Sequence, residues 1–120
     1  MLCPCGSIRS YEECCELYHR GAVAPTPEQL MRSRYSAFAL GMADYLLRTW
    51  HTSTRPRLDL RDNPEWVRLE VLTSGHQGDQ GHVHFRAFYR SGGELGMLAE
   101  ESYFVRDNGV WYYVSGKHSG

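Results

Sequence analysis

The spacing of apolar positions changes once along the chain. In the first half, apolar side chains recur at Leu30, Met31, Tyr35, Phe38, Met42, Tyr45 and Leu46, the stripe of an amphipathic helix. Thr26 stands where a cap belongs, Pro27 suits the first helical position, and Gln29 completes a capping box. These signals predict a helix over 27–40, a break at Gly41 and a second helix over 42–51. Arg32 and Arg34 are read as the polar edge of the first helix, and Trp50-His51 as packing at the end of the second. Two prolines and no periodicity predict a loop over 52–64, with a helical turn near 58–60.

Beyond Pro64 the period becomes two. Strands are predicted over 66–73, 81–90, 95–106 and 110–115, joined by turns at 75–78, 91–93 and 107–109. Asn108-Gly109 is the strongest hairpin signal among them. Val83, Phe85, Ala87 and Tyr89 alternate with His82, His84, Arg86 and Arg90, so one sheet face should meet the helical stripe and the other solvent. Leu69 and Val71 should join the inner face. Helices followed by an antiparallel meander make the fold class α+β.

Composition removes several functions. A net charge of −1 and an isoelectric point near 6.6 give no basic footprint for nucleic acid or an anionic membrane. No stretch approaches the roughly 20 apolar residues of a membrane span. The start Met1-Leu2-Cys3 has no export signal, so the expected compartment is cytoplasmic.

All four cysteines, Cys3, Cys5, Cys14 and Cys15, fall in the first fifteen residues. Disulfides within Cys3-x-Cys5 or between adjacent cysteines depart from comfortable geometry, although longer pairings stay open on spacing. A reducing compartment favours metal over disulfides for such a cluster. Residues i and i+2 of an extended segment project to one side about 6.5 Å apart, and tetrahedral zinc needs sulfurs about 3.8 Å apart. Pro4 stiffens the first pair, and Gly6 permits a turn whose N–H groups can support thiolates. The adjacent pair, Cys14-Cys15, is the less usual half and needs an irregular backbone or a helix end. No Cys-x-x-Cys pair is present, which argues against ordinary oxidoreductase chemistry.

The string Cys3-Pro4-Cys5-Gly6-Ser7, with Tyr11 and Cys14-Cys15, resembles the SEC-C motif, the zinc module at the C-terminus of the SecA translocation ATPase. The resemblance implies a zinc cofactor held by Cys3, Cys5, Cys14 and Cys15; His19, four residues after Cys15 and on the same face if that segment is helical, competes with Cys15 for the fourth place. A four-thiolate site would be closed, hence structural. Residues 30–38, with Thr49-Trp50-His51, resemble the YchJ family of small bacterial proteins. That resemblance implies a zinc knuckle over 1–22 followed by a nuclear transport factor 2-like cone over 26–120, a bent sheet wrapping a long helix. Some relatives are expected to carry a second SEC-C motif at the C-terminus, where this sequence has Lys117-His118-Ser119-Gly120.

Two functions follow as expectations. One is a protein-interaction adaptor using the knuckle, with a secretion, chaperone or ribosome-related partner by analogy. The alternative is a small-molecule-binding protein or enzyme using the cone pocket, with Asp44, Tyr45, His84, Arg86, Glu100 and Tyr103 as candidate pocket groups. No catalytic constellation stands out, because His82 and His84 share the polar strand face.

Overall fold

Thr26 starts the central element as its chemistry requires: its side chain accepts a hydrogen bond from the Gln29 backbone N–H at 3.2 Å, with Pro27 in the first turn. In the computed structural model, which describes residues 1–118, a 3₁₀ turn (Tyr11–Glu13) and a short helix α1 (Cys15–His19) precede this point. Helices α2 (Pro27–Leu40) and α3 (Ala43–Arg48) follow, then strands β1 (Glu65–Gln77), β2 (Gln80–Ser91), β3 (Glu94–Asp107) and β4 (Val110–His118). Ser119 and Gly120, the end of the expected second domain, lie outside the described residues. Among the described residues no helix is long and apolar enough to cross a membrane.

Gly41 ends α2 in the left-handed region at φ 73°, a conformation that costs glycine little. The second helix is shorter than the 42–51 expected. After Arg48 the chain is captured by β4: the Tyr113 N–H donates to the Thr49 carbonyl, and the His51 N–H to the Tyr113 carbonyl. The helical turn expected at 58–60 does not form. The turn falls at 61–62, where the Asp59 carboxylate accepts from the Arg61 N–H, and Leu58 and Leu60 instead pack on a small core of Ala37, Tyr45 and Leu46.

The strands form one antiparallel meander in the order β1-β2-β3-β4. Each hairpin closes on two residues, and β1 runs on through Gly75 and His76, past its expected end, because these pair with His82 and Gly81. Register shifts in β1–β2 and at Tyr103/Phe104 bend the ladders, and the curved sheet wraps α2. Val83, Phe85 and Ala87 are buried against the helix and Arg86 is exposed, as the alternation requires. Gly81 lies so close to α2 that a Cβ there would collide with the Pro27 ring.

The single buried stripe expected of α2 is too narrow. Ser33, Arg34 and Ser36 are buried along with Leu30, Met31, Tyr35 and Ala37, because α2 is packed by the sheet, by α1 and by α3. The polar members are satisfied: Ser33 Oγ donates to the Leu30 carbonyl and bonds the Tyr45 hydroxyl at 2.7 Å. Arg34 is not the polar edge of the helix. Only 2% exposed, it donates from Nη1 to the Leu46 carbonyl (2.8 Å) and Thr49 Oγ1 (2.6 Å), tying α2 to the end of α3.

Candidate metal centre

The first ten residues close on themselves. Leu2 bridges Ser10, the Cys3 N–H donates to the Arg9 carbonyl at 2.9 Å, and the Gly6 N–H to the Cys3 carbonyl at 3.2 Å. Gly6 takes φ 83° to make that turn. Cys14 then both ends the 3₁₀ turn and begins α1, with φ −128° and ψ −109°. This irregular residue lets two adjacent cysteines aim their sulfurs at one point.

The four Sγ atoms lie within 4.8 Å of one another, and those of Cys5 and Cys14 are 3.7 Å apart, close to the separation across a tetrahedral zinc. All four cysteines are free of disulfides, and Cys3, Cys5 and Cys15 are buried. Hydroxyls support the sulfurs from outside: Ser36 Oγ donates to Cys15 at 3.2 Å and lies 3.6 Å from Cys3, and Ser7 Oγ lies 3.1 Å from Cys14. A hydrogen bond from the Cys15 thiol, helped by Ser7 and Cys3, holds Cys5 well below the ordinary thiol range against the opposing effect of burial. Cys15, which gives that bond and is itself buried, is pushed up. Burial pushes Cys14 up as well, and this donor set of four sulfurs fits a soft divalent metal, which would take the place of thiol protons.

His19 is placed away from the sulfurs' task. Its Nε2 lies 2.8 Å from the Ser33 carbonyl, which can only accept, so Nε2 carries the proton and Nδ1 accepts from the Tyr11 hydroxyl at 2.7 Å. Burial holds this imidazole below its usual value, favouring the neutral form. The knuckle is anchored by Arg32, which donates to the Cys5 carbonyl at 2.8 Å and to Glu28, whose other oxygen accepts from Ser74 on β1. Three of the four cysteines thus belong to the same apolar core as α2 and the sheet.

Of the candidate pocket groups only Glu100 lines the cavity between α2 and the sheet. Asp44 and Tyr103 are exposed, and Tyr45 turns to Ser33. His84 and Arg86 lie on the outer sheet face. Arg34, missed as a cavity residue, is held down at about 10 by burial and so remains cationic at neutral pH. Ser7, Ser33 and Ser36 were also missed; the signal for the last two was a pair of serines within a stripe that otherwise reads apolar.

Residues 26–116 match the family model described as the YchJ middle NTF2-like domain, and residues 2–17 match the SEC-C motif. A UPF0225 protein of Streptomyces coelicolor is 51% identical, over 96% of this chain and 94% of that protein. One from Vibrio parahaemolyticus is 43% identical, over 95% and 73%. Two solved structures share the fold. The solution structure of a SEC-C motif containing protein from Rhodopseudomonas palustris has a TM-score of 0.89 and 37% identity, covering 100% of both chains. The crystal structure of a SEC-C motif containing protein from Psychrobacter arcticus has a TM-score of 0.82 and 27% identity, covering 98% of this chain and 82% of that one.

Proposed function

The chain belongs to the YchJ family, joining a SEC-C motif to an NTF2-like domain, and we propose that it is a cytoplasmic zinc-bearing adaptor for a protein partner. Residues 1–22 form the recognition head and residues 26–120 the body that holds it. The observation that carries the reading is the convergence of four free cysteine sulfurs within 4.8 Å. Cys3, Cys5, Cys14 and Cys15 would hold zinc as a closed thiolate set, and the metal would supply rigidity rather than activate water. Free thiols in such a cluster suit a reducing compartment.

The head's own surface supports the partner role. Leu2, Ile8 and Leu17 are exposed there, Ile8 at 88%. Ile8 also holds φ 61°, a left-handed conformation that costs a β-branched residue about 1–3 kcal/mol and is more often found at functional sites than in idle loops. By analogy with the SEC-C module of SecA, the partner belongs to the secretion, chaperone or ribosome machinery.

Affinity capture with three baits tests this: the wild type, Cys14→Ser and Ile8→Asp. The expected result is a partner set retained by the wild type and lost by both variants, with Ile8→Asp keeping its metal. Identical sets from all three baits would overturn the adaptor reading.

A further inference from the structure

His51 does not end α3. It lies in the segment that follows, which is pinned along β4: its N–H donates to the Tyr113 carbonyl at 2.8 Å, and Thr54 Oγ1 donates to the Val114 carbonyl at 2.7 Å. This anchoring brings three groups of matched chemistry together at the edge of the sheet. Ser53 Oγ lies 2.7 Å from His51 Nδ1, and His51 Nε2 lies 3.5 Å from Asp107 Oδ2 at the end of β3. None of the three belongs to the cysteine cluster or lines the cavity under α2.

The proton positions follow from one further bond. The Ser53 backbone N–H, which can only donate, also points at His51 Nδ1, at 3.2 Å. Nδ1 is therefore an acceptor, the ring proton sits on Nε2 facing Asp107, and the Ser53 hydroxyl donates. A hydroxyl, a base that accepts from it and a carboxylate behind the base make up an activated nucleophile, here with the two ring nitrogens exchanged relative to the serine proteases. The contact to Asp107 is loose, as such contacts often are without substrate. The His51 ring also meets the Tyr112 ring edge-on, with centroids 5.9 Å apart.

We propose that Ser53 is an acyl-acceptor site, taking a short acyl group from an activated ester. Ser53 Oγ bonds to the carbonyl carbon, its proton passes to His51 Nδ1, and the ester bond to the leaving oxygen breaks. The imidazolium, steadied by Asp107, then gives its new proton to the departing oxygen. As Nδ1 takes the proton, the Ser53 N–H loses its acceptor and is released to face the developing oxyanion. The Thr54 N–H stays with the His51 carbonyl, so that charge has one backbone donor rather than two. A missing donor costs about 10²–10³ in rate, which suits slow, single modification of the chain rather than rapid turnover. Tyr112, with Val23, Thr49 and Val110, lines a cleft of about 210 Å³. That is less than small-molecule sites usually offer, hence a short acyl group. The proposal does not depend on the knuckle's metal or partner.

Treating the full metal-loaded chain with p-nitrophenyl acetate and mapping acetylated peptides by mass spectrometry tests this. Ser53 should be acetylated about tenfold or more faster than any other serine and than Lys117, the one lysine. Ser53→Ala should abolish the label, and His51→Gln should slow it about 100-fold. Asp107→Asn should slow it about tenfold or more, with Asp107→Glu recovering most of the rate. Ser53 and Asp107 are exposed, so their variants carry the test should His51→Gln not fold. Acetylation spread evenly over the serines, or a Ser53 rate unchanged in His51→Gln or in Asp107→Asn, would overturn the proposal.

Discussion

Replacing Cys5 by serine is expected to release the metal and lower the thermal midpoint by about 10 °C or more, equivalent to roughly 3 kcal/mol or more for a domain of this size. Cys5 is fully buried, its thiol is held below the ordinary range, and its carbonyl receives Arg32 from α2. A hydroxyl at this position is a poor ligand for a soft metal, and three remaining sulfurs leave the set open. Metal binding to such sites contributes directly to folding, about 10–16 kcal/mol in short zinc-finger peptides at neutral pH. Here the loss should spread into the body, because Cys3, Cys5 and Cys15 share its apolar core. Thermal unfolding with parallel metal analysis checks this. A variant that keeps its metal and melts within about 2 °C of the wild type would remove Cys5 from the site.

The second large effect is expected at Arg34. Arg34→Ala should cost about 3–5 kcal/mol, because it removes two hydrogen bonds from a charged donor, at about 1.5–3 kcal/mol each, and leaves a cavity. The change takes the donor from Thr49 Oγ1 and the shorter of two side-chain donors from the Leu46 carbonyl, which keeps the Thr49 hydroxyl at 3.3 Å, and it takes the cation from the Trp50 and Tyr113 rings. It also frees the junction at which α3 hands the chain to β4. Arg34→Met fills much of the space without a charge to desolvate and should recover a substantial part of the loss. Denaturant unfolding with unchanged m-values separates the two variants. A cost below about 1 kcal/mol for Arg34→Ala would mean that the side chain pins nothing.

What the sequence made legible follows the range over which each signal acts. The bounds of α2 are written locally, in the Thr26 cap, in Pro27 and in Gly41, and the structure places the helix over those residues. The inner face of β2 is equally local, since alternation needs only neighbours to be read. Strand ends are set by partners instead: β1 continues through Gly75 and His76 because β2 is there to pair with them. Arg34 illustrates the same limit, because nothing near it in sequence shows that a loop end and two aromatic rings surround its guanidinium. At the cysteines, spacing showed a cluster but not how adjacent Cys14 and Cys15 could converge. That depends on one irregular backbone residue between two helical turns. Likewise, the hydroxyls of Ser7 and Ser36 became part of the site only through folding.

Metal content per folded chain tests the proposed closed zinc site of four cysteines most directly. Native mass spectrometry of the reduced protein should show about one zinc per chain, with all four thiols slow to react until a chelator removes it. A folded, reduced chain with four reactive thiols and much less than one metal ion would rule out a structural zinc site.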